Sequence, residues 1–161
     1  MLTNREFSTL AERYLNLVYR VALNCVGSPA DADDVTQNTM LRLLRQKEGF
    51  QSEEHARRWL IRVAVNESRR LLTAPWRRRT VGLEELAAVL PAAEGERLEL
   101  LEAVLSLPAK YRLPLYLYYY ESYQVGEIGE LLKRRASTVQ TQLARGRELL
   151  RKQLTEVKGH G

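Results

Sequence analysis

Residues 124–153 read QVGEIGELLKRRASTVQTQLARGRELLRKQ. Two short segments with apolar residues at helical spacing flank the polar run Lys133-Arg134-Arg135. Ile128 and Leu131 mark the inward face of the first segment. In the second, steps of about 100° per residue from Val139 keep Leu143, Gly146 and Leu150 on one side. Thr138, Thr141, Gln142 and Arg145 then fall on the other. This pattern predicts a helix-turn-helix whose second helix lies in a DNA groove. Ser137 is the expected N-cap, which leaves the backbone N–H groups after it open to a phosphate. Gln, Thr and Arg are the side chains that reach base edges and phosphates. Seven basic residues, including Arg134 and Arg135 at the turn, stand between Lys133 and Lys152 against one acid, Glu148. A merely solvated helical hairpin explains the charge. It does not explain why turn, cap, polar face and basicity coincide.

Outward from this stretch the chain reads as all-α, with no convincing strand. Thr3 and Glu6 form a capping box ahead of Phe7, Leu10, Tyr14, Leu17, Val18 and Val21, an amphipathic helix that Gly27 ends. Ser28-Pro29 restarts the chain with a cap and a first-turn proline. A second helix is expected from Pro29 to about Gln46, with Val35, Thr39, Leu43 and Leu44 inward. After a loop at Gly49–Ser52, Ser52 caps a third helix that carries Trp59, Leu60, Val63, Ala64, Leu71 and Leu72. Residues 1–72 thus form an N-terminal helical bundle. Residues 73–95 read as a flexible linker with Gly82 and Pro91. Residues 96–161 form the C-terminal domain, opening on Leu98, Leu101 and Leu105. Pro108 starts a tyrosine-rich helix in which Pro114 predicts a kink or a later start. Its tyrosines suit base stacking or core packing, and packing of most of them is the favoured reading.

Two surfaces of the N-terminal bundle stand out. Asp31, Asp33 and Asp34 open the second helix, where they complement its dipole. Asp34, Gln37, Asn38, Leu41 and Arg42 continue along one side, a mixture suited to protein docking. On the third helix Arg58, Arg62, Asn66 and Arg69 share a stripe beside Trp59. Basic residues with amides and an aromatic suit single-stranded or distorted DNA. Core packing is the favoured reading of Trp59, while the arginines suit solubility charge equally well.

Composition bounds the rest. The 161 residues carry a net charge of +5, which suits a polyanionic partner without requiring one. Cys25 is the only cysteine, so no intramolecular disulfide can form, and it reads as a small core residue. Cys25, His55 and His160 lack zinc-ligand spacing, and neither a metal nor a cofactor is expected. No nucleophile, base and metal constellation converges, so the chain is not read as an enzyme. The charged N-terminus is no signal peptide. No apolar run approaches the roughly 20 residues of a membrane span, so a cytoplasmic protein without membrane insertion is expected.

The chain resembles the extracytoplasmic-function sigma factors, small sigma-70-type initiation subunits of bacterial RNA polymerase. FSTLAERYLNLVYRVALNCVGSPADADDVTQNTMLRLLR, with its D-A-x-D-x-x-Q segment, is similar to the start of sigma region 2. HARRWLIRVAVNESRRLL is similar to the end of that region. LPAKYRLPLYLYYYESYQVGEIGELLKRRASTVQTQLARGRELLRKQL is similar to region 4. The resemblance implies that Asp31, Asp34, Gln37, Asn38, Leu41 and Arg42 dock on the clamp helices of the polymerase's largest subunit. It implies that Gly49, Phe50, Gln51, Arg58, Trp59, Arg62, Asn66 and Arg69 engage the −10 element. It implies that Arg134, Arg135, Ser137, Thr138, Thr141, Gln142 and Arg145 read the −35 element, with region 4 also touching the polymerase flap. An anti-sigma factor is a common partner in the family. Two departures are specific to this chain. Lys133-Arg134-Arg135 stands where the family usually has Gly-apolar-Ser, and Gln140 and Gln142 stand where it often has Lys and Arg. A stand-alone helix-turn-helix regulator is the alternative reading, but it has no evident need for the acidic second helix or the basic third.

Overall fold

The computed structural model describes residues 2–74 and 106–159, with side chains described up to Thr155. The chain divides into two compact units, Met1–Arg79 and Thr80–Gly161. Among the described residues, helix is the regular structure throughout. The 73–95 linker beyond Ala74, and the helical pattern at Leu98, Leu101 and Leu105, lie outside the described residues.

The first unit packs α1 (Asn4–Val26), α2 (Pro29–Leu44) and α3 (Glu53–Leu72) against one another. Each start follows the expected capping chemistry. The Thr3 hydroxyl accepts from the Glu6 N–H at 3.1 Å, Ser28 from Asp31 at 3.3 Å, and Ser52 from His55 at 3.0 Å. Each such cap stabilises a helix by about 1 kcal/mol. Gly27 ends α1 at φ 72°, with its N–H on the Leu23 carbonyl. Leu17, Val18, Val21, Val35, Leu43, Leu60, Ile61 and Ala64 form the core. Burying a Leu or Ile fully contributes roughly 1.5–3 kcal/mol, so these side chains fix how the three helices meet. Cys25 lies in this core as expected.

Two expectations for α2 need correction. The helix ends at Leu44 with Arg45 as its cap, not at Gln46. Leu44 is exposed, not inward. Leu43 already fills the inward position, and the next residue is rotated about 100° away from it.

In the second unit, α4 (Ala109–Leu115) starts directly after Pro108 and contains Pro114. The helix neither starts late nor breaks. It widens into a π-helical turn, Tyr116–Tyr120, closed by the Glu121 N–H on the Tyr116 carbonyl at 3.2 Å. The wider turn changes the phase of the side chains. Leu117 stays in the core while Tyr118, Tyr119 and Tyr120 swing outward, the last two 58% and 63% exposed. Packing of most of the tyrosines is therefore overturned. Tyr111 and Tyr123 are buried, whereas the Tyr118–Tyr120 run is surface.

The helix-turn-helix consists of α5 (Val125–Leu132) and α6 (Ala136–Gly159). The Glu127 carboxylate accepts from the Gln124 N–H at 3.0 Å and secures the start of α5. Lys133 closes it in the left-handed conformation, φ 57° and ψ 49°. The Arg134 N–H returns to the Gly129 carbonyl at 2.8 Å. A β-carbon on Gly129 would lie 2.6 Å from the Arg134 carbonyl oxygen, so the bare glycine permits this tight return. The expected cap at Ser137 is also corrected. α6 begins at Ala136, and the Arg135 carbonyl accepts from Val139 at 3.1 Å. The left-handed bend at Lys133 and the close pass over Gly129 set where the helix restarts. They override the capping preference of Ser137.

Candidate nucleic-acid interface

On α2, Asp34, Gln37, Asn38, Leu41 and Arg42 are exposed, whereas Asp31 is partly covered at the first turn. Leu41 is 45% exposed in the middle of this polar face. The Arg42 Nε lies 3.4 Å from the carboxylate of Glu67 on α3. Glu67 is only 6% exposed and also pairs with Arg70 at 3.6 Å. Arg42 therefore has a structural partner that its position in the sequence did not reveal. A buried carboxylate needs its cations, and losing one leaves an expensive charge behind.

The loop before α3 is anchored by its own side chains. The Gln51 N–H donates to His55 Nδ1 at 3.1 Å. The Phe50 ring meets His55 edge-on at 5.3 Å and Trp59 at 5.5 Å. Trp59 is half-buried, with its ring against Phe50 of the loop. Arg58 donates to Glu54 at 3.0 Å along the same helix. Arg62, Asn66 and Arg69 face solvent on one stripe, with Gly49 and Gln51 exposed in the loop. Amides and guanidinium groups thus line up beside a braced aromatic loop.

The second surface is built on α6. Val139, Leu143 and Gly146 are buried, and Ser137, Thr138, Thr141 and Arg145 are exposed, as the periodicity predicts. A β-carbon on Gly146 would meet Leu115 at 2.8 Å, so α6 and α4 approach closely there. Ser137, Thr138, Thr141, Gln142 and Arg145 share an open cleft with Lys110 and Tyr111 of α4. Arg135 is exposed at the turn, while Arg134 and Gln142 are half-buried. Arg134 donates to the Gln142 Oε1 at 2.8 Å. The exposed α6 face carries hydroxyl, amide and guanidinium groups, the side-chain types that reach base edges and phosphates.

Comparison with known proteins gives the family of both units. Residues 10–78 match the sigma-70 region 2 family and residues 97–150 the sigma-70 region 4 family. The chain is 30% identical to the ECF RNA polymerase sigma factor SigW of Bacillus subtilis, over 94% of this chain and 90% of SigW. The chain belongs to the extracytoplasmic-function sigma factors. Its fold is shared with RpoE of Bartonella quintana, solved with the anti-sigma factor NepR, at a TM-score of 0.74 and 16% identity over 94% and 98% of the two chains. It is also shared with CnrH, solved with the cytosolic domain of CnrY, at a TM-score of 0.65 and 22% identity over 96% and 90%.

In this sigma factor the region 2 bundle is the first unit, and region 4 supplies the helix-turn-helix. Lys110 and Tyr111 were not legible in the sequence as part of the region 4 surface, because α4 meets α6 only through the tertiary fold. The Arg145 guanidinium beside Tyr111 holds the pKa of its hydroxyl below the ordinary tyrosine value. Burial opposes this shift, while Lys110 adds to it. Lys110 Nζ sits 5.0 Å from the centre of the Tyr111 ring. Among the described residues no cluster of His, Cys, Asp and Glu could hold a metal ion. No described helix is long and apolar enough to cross a membrane.

Proposed function

We propose that this sigma factor acts in the cytoplasm and directs core RNA polymerase to promoters through three surfaces. The α2 face, Asp31, Asp34, Gln37, Asn38, Leu41 and Arg42, docks on the clamp helices of the largest subunit. Leu41 is its apolar centre, with the amides around it as a polar rim. The Gly49–Gln51 loop, braced by Trp59, and the stripe of Arg58, Arg62, Asn66 and Arg69 hold the displaced −10 strand. Unstacking a base costs a few kcal/mol, and capturing it shifts the melting equilibrium without a catalytic side chain. α6 lies in the −35 major groove with Arg135, Ser137, Thr138, Thr141, Gln142 and Arg145, and Arg134 at the turn. Region 4 also meets the flap.

The observation that carries the proposal is the division of α6 into a buried Val139–Leu143–Gly146 side and an open polar side. An anti-sigma factor is the further partner that family membership suggests, and RpoE was solved with one. Transcription reconstituted from core polymerase and the full chain on genomic fragments tests the function. Initiation is expected at a subset of promoters that core alone ignores. Tight binding to duplex promoter DNA without any initiation would contradict it.

A further inference from the structure

The turn that departs from the family pattern reaches into the reading surface. Arg134 Nη1 donates to the Gln142 Oε1 at 2.8 Å. It also lies 3.5 Å from the Lys110 carbonyl. Pro114, four residues after Lys110, has no N–H to offer that carbonyl, so the guanidinium meets an acceptor the helix leaves open. Arg134 is thereby held between two acceptors, one on α4 and one on α6.

The bond also settles how the Gln142 amide is turned. A guanidinium only donates, so the amide oxygen must face it and the NH2 group must point away. Gln142 lines the open cleft beside Thr138, Thr141 and Arg145. A glutamine reads adenine by using both ends of its amide, accepting from N6 and donating to N7. Here one lone pair of the accepting end is taken by Arg134, and the oxygen is turned towards the guanidinium. Bidentate pairing with adenine would also bring the Arg134 cation towards the adenine amino group, donor against donor. The end left wholly open to a base is the NH2 group, a donor. Guanine is the base whose major-groove edge presents two acceptors, O6 and N7, side by side.

We infer that Arg134 is a positioning residue that turns Gln142 from an adenine reader into one that presents its NH2 group to the base and selects guanine. This rests on the proposed placement of α6 in the −35 groove and names what that helix selects. It also gives the departures at the turn and at Gln142 one shared purpose, because each side chain is the other's partner.

The test uses holoenzyme assembled from core polymerase and the full chain, with a promoter library randomised across the upstream element. Base preferences are read within each variant, so a uniform loss of affinity or stability does not alter them. Wild type should favour guanine over adenine at one position, and Gln142→Ala should flatten the preference there alone. Arg134→Met keeps the aliphatic stem and removes the donors. It should swing that position towards adenine by about tenfold, within the range set by one bidentate pair. If Arg134→Met weakens the fold, the same swing is read in a Lys133→Gly background. A wild-type preference for adenine at the Gln142-dependent position overturns the inference. So does an unchanged guanine preference in Arg134→Met. If no upstream base is selected by any variant, the −35 placement itself fails, and the inference fails with it.

Discussion

Lys133 is a residue where local chemistry and fold disagree, as at Ser122 with its φ of 62°. A side chain at φ 57° carries a left-handed penalty of roughly 1–2 kcal/mol that glycine avoids. Lys133→Gly should raise the stability of the helix-turn-helix by about 0.5–1 kcal/mol, the remainder going to the greater freedom of the unfolded glycine. A higher melting temperature in the variant checks this, and a lower one shows that Lys133 makes contacts worth more than its strain. Tyr19 is another such residue. Its hydroxyl is buried with no hydrogen-bond partner among the described residues. Burial, and then the Asp33 carboxylate, push its pKa above the ordinary tyrosine value. The folded state therefore keeps a proton that the unfolded chain loses first. Stability from this group is full below about pH 10 and falls as pH rises above it. Tyr19→Phe removes an unsatisfied group and should leave stability at pH 7 unchanged or higher by up to ~1 kcal/mol. It should also lessen the alkaline loss, as urea melts at pH 7 and above pH 10 will show.

At the scale of elements, the α5–α6 turn depends on a glycine inside a helix. Gly129→Ala ordinarily gains about 0.5–1 kcal/mol of helix propensity. Here the new β-carbon would stand 2.6 Å from a backbone oxygen, which cannot rotate away as a side chain can. Overpacking of this kind costs about 1–3 kcal/mol, so the clash wins and the variant should melt lower. Gly146→Ala is milder, because its closest contact, at 2.8 Å, is the flexible end of Leu115, with the Leu115 γ-carbon and the Tyr111 β-carbon at 3.2 and 3.3 Å. The helix starts of the N-terminal bundle were readable because capping is local: Thr3, Ser28 and Ser52 each bond a residue three positions on. The start of α6 was not, because it follows from the path over Gly129. The outward Tyr118–Tyr120 run was not either. Whether Pro114 ends a helix, bends it or widens it depends on what its freed carbonyl partner can find nearby.

At the scale of the whole molecule, each surface can fail separately. Arg62→Ala with Asn66→Ala should abolish promoter opening, seen by permanganate footprinting, while polymerase binding is retained. Opening that proceeds unchanged would remove the α3 stripe from the mechanism. Contacts of the basic α6 face should weaken steeply with salt, because each neutralised phosphate releases counterions. The two units carry separate surfaces on separate cores, which is why loss of one function need not carry the other with it.

The sequence alone determined the helical class, the capped starts of α1–α3, and the division of α6 into polar and packing sides. These depend on residues within a few positions of one another, where periodicity and capping act. It also carried the family resemblance, because the motifs keep their order along the chain. Only the tertiary structure decided that Glu67 holds Arg42, that Lys110 and Tyr111 join the α6 cleft, and that Arg134 captures the amide of Gln142. Those pairs join different elements or cross a turn. Packing brings them together, and no residue spacing announces it. The helix-turn-helix was therefore legible as a DNA reader from its residues, while the direction in which its glutamine faces came from the fold.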